Sequence, residues 1–154
     1  MNAQASMVVD AELAQVLAFR LADESYGVDI LRVKEIRGWS AVTHVPESPP
    51  HVLGVLNLRG SIVPVLDLRA RFALEPMQPS PLTVIIVLSI HTTTGTREYG
   101  LVVDSVSEVM QVEPARLKDV PELSGHVSSD FLKGLIEQQN QLVMLLDVDR
   151  LMDF

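Results

Sequence analysis

Of the groups in this chain that could do chemistry, Arg59 is the one whose setting asks for an explanation. It stands within Gly54-Val55-Leu56-Asn57-Leu58-Arg59-Gly60-Ser61-Ile62-Val63-Pro64-Val65-Leu66-Asp67-Leu68-Arg69. An apolar strand runs into a polar turn there and leaves as a second apolar strand. Gly60 supplies the backbone freedom a tight hairpin needs. The core of a hairpin has no use for a guanidinium at the tip, so Arg59 points to work at a surface. Glu35, in Val33-Lys34-Glu35-Ile36, is its natural partner. A two-pronged arginine–carboxylate pair would orient the hairpin and fix a shape for docking. An ordinary solvated ion pair, of little energetic weight, is the alternative.

The remaining polar groups do not assemble into a catalytic pattern. His44, His51, His91 and His126 show neither HxH nor HExxH nor i,i+4 spacing, so no metal site is expected. Asp67, Asp104, Asp147 and Asp149 lie at strand ends, where carboxylates commonly cap the next turn. There is no GxSxG, phosphate-binding loop, GxGxxG or ordered Ser/His/Asp set. With no cysteine there is no disulfide, thiolate nucleophile or cysteine–zinc site. A non-enzymatic protein without a cofactor is the expectation. Twelve Lys+Arg against twenty Asp+Glu, a net charge of −8, opposes nonspecific binding to nucleic acid or anionic membranes. Asp10 and Glu12 interrupt any signal-peptide pattern, and the apolar run Leu82 to Ile90 is too short to span a bilayer as a helix. Cytoplasm is the expected compartment.

The elements that must position Arg59 are short and strand-like. With 154 residues, 47% hydrophobic and 21% charged, the chain can bury a real core. Residues 1–12 read as a flexible tail. Strands are predicted at Val16 to Ala22, Tyr26 to Ile30, both arms of the Arg59 hairpin, Leu82 to Ile90, Arg97 to Val103, Val106 to Val112, Phe131 to Glu137 and Leu142 to Val148. Leu31 to Ile36 is readable as a helical turn or as strand. One helical turn is expected at His51 to Gly54, a short helix at Leu68 to Leu74, and another at Asp149 to Phe154. His91 to Thr96 and Pro121 to Ser129 read as loops. Pro76 to Pro81, with three prolines, is the best internal boundary. Trp39, Met110 and Phe131 are candidate partner anchors, with core filling as the default. The pattern is that of an all-β barrel or sandwich.

The chain also repeats itself. Tyr26-Gly27-Val28…Val33-Lys34-Glu35-Ile36 matches Tyr99-Gly100-Leu101…Val106-Ser107-Glu108-Val109, and Gly54…Leu66-Asp67-Leu68 matches Gly134…Leu146-Asp147-Val148. Two copies of one β-unit follow. The turn Asn57-Leu58-Arg59-Gly60 corresponds to Glu137-Gln138-Gln139-Asn140, so the second copy carries no arginine at its tip. An arginine present once belongs to one face.

The motifs Tyr26-Gly27-Val28-x-Ile30, Val33-x-Glu35-Ile36, Asn57-Leu58-Arg59-Gly60-x-Ile62-x-Pro64-x-x-Asp67-Leu68-Arg69 and Gly100-Leu101-Val102-Val103-Asp104-x-Val106-x-Glu108-Val109 resemble those of the bacterial CheW family of chemotaxis coupling proteins. The resemblance runs from about Val16 to Leu151. It implies one CheW-like domain over 13–154, built of two SH3-like five-stranded β-barrel subdomains with short helical turns, roughly 13–78 and 79–154. It implies a cytoplasmic adaptor recruited to membrane-associated receptor arrays. Such an adaptor links the tip of methyl-accepting chemoreceptors to the regulatory domain of the histidine kinase CheA, and contacts other CheW-like domains in array rings. By position, receptor binding would fall to Val33, Glu35, Ile36, Gly54, Arg59, Gly60, Gly100 and Val109. Kinase binding would fall near Ile62, Val84, Lys118, Glu122 and Leu123. An adaptor of a twitching or surface-sensing pathway, or a small-ligand-binding β-barrel sensor, would be the alternative uses.

Overall fold

The structure is a computed structural model, and it describes residues 15–120 and 129–153. The described strands are β1 (Gln15–Leu21), β2 (Glu24–Asp29), β3 (Val33–Gly38), β4 (Val52–Leu58), β5 (Ser61–Asp67), β6 (Val84–Thr92), β7 (Gly95–Val103), β8 (Ser105–Gln111), β9 (Leu117–Lys118), β10 (Leu132–Gln138) and β11 (Gln141–Leu146). Two single-turn helices, α1 (Leu68–Arg71) and α2 (Val148–Leu151), follow β5 and β11. Asp67 accepts from the Arg69 amide at 3.0 Å and Asp147 from the Arg150 amide at 3.2 Å, so both act as the helix caps expected of them. The ambiguous stretch after β2 splits, giving a 3-10 turn at Ile30–Arg32 and then strand.

Two expectations are corrected locally. His91 to Thr96 is not a loop: β6 runs to Thr92 and β7 starts at Gly95. Threonine favours strand, and Gly95 takes the positive φ of 132° that the tight turn needs. The helical turn expected at His51 to Gly54 is instead the start of β4. Gly54 lies where Thr43 crosses the strand: a β-carbon there would overlap the Thr43 carbonyl oxygen. Without one, Thr43 and Val55 exchange backbone hydrogen bonds of 3.0 and 2.9 Å.

The strands form two sheets, ordered β8-β1-β2-β11-β10-β9 and β3-β6-β7-β5-β4. Each curls on itself. The chain leaving β3 returns at Thr43 on the outer edge of β4, and the chain leaving β8 returns as β9 on the outer edge of β10. Gly134 repeats the role of Gly54, lying under Leu117 and Lys118. The division expected at 78/79 does not coincide with these sheets. Hairpin β1–β2 belongs with β8 to β11, and hairpin β6–β7 belongs with β3 to β5. Each half of the chain donates its first hairpin to the other half's barrel.

The exchange is symmetric down to the register. The parallel pairing Leu145↔Gly27 in one sheet repeats as Val65↔Gly100 in the other. The bulge on β8 between Val106 and Glu108 repeats on β3 between Val33 and Glu35. Buried side chains form a small core inside each barrel, with Val16, Ala18, Ile136 and Val143 in one and Leu58, Val63, Ile85 and Val87 in the other. The largest cluster lies between the barrels and draws on both, including Leu17, Phe19, Tyr26, Leu66, Phe72, Ile86, Leu101 and Leu146. Met110 is in a barrel core, and Trp39 and Phe131 pack against core clusters, so all three take the packing role.

Two ion pairs stand where the chain passes between barrels. Arg69 on α1 grips Asp104 at 2.9 and 2.7 Å, and Arg32 grips Asp149 on α2 at 2.8 and 2.7 Å. Each carboxylate also accepts the backbone N–H at the end of an exchanged hairpin, Ala22 for Asp104 and His91 for Asp149, both at 2.8 Å. These two aspartates therefore do not simply cap the next turn, as the sequence suggested. At Asp149 the hydrogen bond from Arg32, against partial desolvation, holds the carboxyl below its ordinary range. At Asp104 burial pushes the other way, but Arg69 and the Ala22 amide together outweigh it and the net shift is also downward. A depressed folded pKa stabilises above the unfolded value and is lost as pH falls through the folded one. Unfolding in urea should therefore show full stability above pH ~4 and a steep loss below it. Asp149→Asn should flatten that acid limb. Separately, Gly54→Ala should cost roughly 1–3 kcal/mol in the same assay, because the closing bridge must open.

Candidate docking site

The turn that carries Arg59 is a two-residue hairpin whose central residues both have positive φ, 53° at Arg59 and 89° at Gly60. Those angles match the right-handed twist of the flanking strands. The Asn57 side chain accepts the Gly60 N–H at 3.0 Å and stiffens the turn from below. In the second copy Gln139 and Asn140 make the same turn with φ of 53° and 60°. Arginine is thus not a requirement of the turn. A left-handed, non-glycine backbone has a cost, and at Arg59 it is borne with the side chain 70% exposed.

Glu35 reaches the turn from β3, at the opposite end of the sheet order from β4. Closure of the barrel is what brings them together. Arg59 Nη2 lies 2.9 Å from Glu35 Oε1, and Arg37 Nη1 donates to Glu35 Oε2 at 3.3 Å. The expected two-pronged grip by one arginine is replaced by two arginines sharing one carboxylate. The hydrogen bond from Arg59, against some desolvation, keeps the Glu35 carboxyl below its usual range, with Arg37 adding to the effect. The cluster carries one positive charge in excess, displayed at the tip of a stiff hairpin. Arg37 was missed by sequence reasoning. Its signal was the i,i+2 spacing from Glu35, which puts both side chains on one side of a strand.

The other expected receptor residues divide. Ile36 is next to Glu35 and 45% exposed, and Gly60 is exposed beside Arg59. Val33 is half-buried and packs against the main core. Val109 is 49% exposed on β8, in the other sheet, at the position equivalent to Ile36. Gly54 and Gly100 are buried. Gly54 makes way for the Thr43 crossing, and Gly100 sits against Ile85 and Val65 with no room for a side chain. Both glycines are closely packed beneath the surface.

Of the expected kinase residues, Ile62 is 63% exposed on β5, opposite Asn57 and close to the Arg59 turn. Beside it a shallow depression is lined by Ser61, Pro64 and Thr96 to Tyr99. Val84 is half-buried at the start of β6, and Lys118 is exposed on β9 in the other barrel. Glu122 and Leu123 lie outside the described residues, as does the expected tail at 1–12.

A small-ligand sensor would need an enclosed cavity with an apolar wall. The barrel interiors are filled by their own side chains. Among the described residues no three His, Cys, Asp or Glu side chains are placed to hold a metal ion, and no helix is long and apolar enough to cross a membrane. What the surface offers is a charged hairpin tip with exposed Ile62 close to it and exposed Ile36 next to Glu35 in β3, a setting suited to binding a protein. Since Arg59 is largely exposed, Arg59→Ala should move the thermal midpoint by less than about 5 °C and leave the strand signature in circular dichroism intact.

The CheW-like domain family matches residues 15–154. The chemotaxis protein CheW of Klebsiella aerogenes is 38% identical over 138 residues, covering 90% of this chain and 81% of that protein. The probable chemotaxis protein CheW of Rhizobium etli is 35% identical over 137 residues, covering 89% and 86%. The crystal structure of the scaffolding protein TtCheW from Thermoanaerobacter tengcongensis superimposes with a TM-score of 0.84 at 29% identity, covering 92% of this chain and 93% of that one.

Proposed function

This chain belongs to the CheW family of non-enzymatic chemotaxis scaffolding proteins, and on that premise we propose that it couples chemoreceptors to the histidine kinase CheA in the cytoplasm. The observation that carries the reading is the Arg59–Glu35–Arg37 cluster at the tip of the β4–β5 hairpin. A receptor tip is a helical hairpin, and a helix in a groove needs apolar ground with a polar group to set its register. Ile36 and Val109 supply exposed apolar side chains at equivalent positions of β3 and β8, one in each sheet. Arg59 and Gly60 supply the polar end, with a backbone unobstructed by a side chain at Gly60.

Kinase contact uses a different part of the same hairpin. Ile62 faces outward beyond the turn and gives an apolar anchor of the kind that concentrates binding energy in protein interfaces. Receptor and kinase then dock within a few residues of one another on one stiff element. A change in how the receptor helix seats on Arg59 alters the contacts made at Ile62. Receptor state biases kinase activity by that differential contact.

Titration of this chain against a receptor-tip hairpin and against the CheA regulatory domain tests the division of labour. Arg59→Ala should weaken receptor binding at least tenfold while changing kinase affinity little, and Ile62→Asp should show the reverse. Equal affinity of Arg59→Ala and wild type for the receptor fragment would remove the cluster from the site.

A further inference from the structure

We infer that the two halves of this chain are separable folding partners, and that a second copy of the chain can supply either half by reciprocal exchange. Four strand pairings cross from one half to the other: β1 with β8, β2 with β11, β3 with β6 and β5 with β7. The largest core cluster is shared, with Phe19, Tyr26, Leu66 and Phe72 from the first half and Ile86, Leu101, Leu146 and Leu151 from the second. Both bidentate ion pairs, Arg69–Asp104 and Arg32–Asp149, also join one half to the other. A half on its own would expose its share of that cluster, four unpaired strand edges and two charged groups without partners, Arg32 and Arg69 in the first half or Asp104 and Asp149 in the second. Neither half is therefore a self-sufficient barrel.

The covalent link between the halves is slight by comparison. From Leu74 to Thr83 the chain has neither helix nor strand, and Glu75 to Leu82 is exposed throughout. Pro76, Pro79 and Pro81 keep it extended. Arg69 holds it by a 2.8 Å hydrogen bond to the Glu75 carbonyl and a 3.5 Å contact with Met77, and its far end closes a local turn between Ser80 and Thr83. Every interaction between the halves is indifferent to whether this connector is intact. Each is also satisfied equally when the two halves come from different copies, which makes exchange a low-cost route to a dimer.

A protease site inserted between Gln78 and Pro79 tests both parts. After cleavage the two fragments should still migrate together at the mass of the intact chain, part only in denaturant, and recover the native circular dichroism on dilution of an equimolar mixture. Fragments that separate in native buffer, or that each melt cooperatively alone, would overturn the inference. For exchange, the uncut protein is unfolded and refolded at increasing concentration. A dimer fraction that rises with concentration should appear, and cutting the connector should convert it to particles of monomer mass. Refolding to monomer at every concentration, or a dimer that survives cutting unchanged, would rule exchange out.

Discussion

The parallel pairings of β2 with β11 and of β5 with β7 are what the architecture depends on. Each joins a hairpin from one half of the chain to the final hairpin of the other. Parallel neighbours cannot be joined by a tight turn, so the chain between them must travel. Between β2 and β11 it travels through the opposite barrel, and between β5 and β7 it travels through α1, the proline-rich connector and β6. The closely packed glycines follow from this arrangement: Gly27 and Gly100 lie in the parallel pairings, where neighbouring valine and isoleucine side chains occupy the space a β-carbon would need. The core between the barrels follows as well, because each exchanged hairpin turns one face into its new barrel and the other toward the shared interior.

The two crossings are secured by the same device with its charges reversed. On one side the helix after the final hairpin brings the arginine, Arg69, and the residue between β7 and β8 is Asp104. On the other the helix brings Asp149 and the 3-10 turn between β2 and β3 brings Arg32. In both, the carboxylate also takes a backbone N–H from the exchanged hairpin. The common requirement is a carboxylate that can satisfy an arginine and an amide together. Which element supplies it is free to vary, since a pair attracts equally with its partners transposed.

The same economy explains why the Arg59–Glu35–Arg37 cluster is found once. Both barrels present an edge strand with a glutamate, Glu35 or Glu108, followed by an exposed aliphatic, and both present a two-residue turn with positive φ. The scaffold is thus duplicated, and one copy carries the arginines. In the other barrel the corresponding closure is made by a neutral bond, Gln138 to the Gln111 carbonyl at 2.8 Å. Closing a barrel does not require charge. The excess positive charge at Arg59 is therefore available for recognition.

Much of this was legible from residue order. The alternation of apolar residues marked most strands, the repeat of Tyr-Gly and Val-x-Glu marked two copies, and the Asn57-Leu58-Arg59-Gly60 turn marked the hairpin that carries the charged cluster. These are local properties, set by side-chain period and turn stereochemistry. The pairing of Glu35 with Arg59 was legible because opposite charges in matched elements suggest one another. The i,i+2 spacing of Arg37 from Glu35 was legible in the same way, but the burial of Gly54 and Gly100 and the ion pairs at Asp104 and Asp149 were not, since each depends on a neighbour distant in the chain. The exchange of hairpins lay deepest of all. A repeat in sequence says that two units share one fold, but strand edges carry the same hydrogen-bonding groups whichever copy they come from. Which edges pair was decided only in three dimensions, by the shared core that the exchanged arrangement buries.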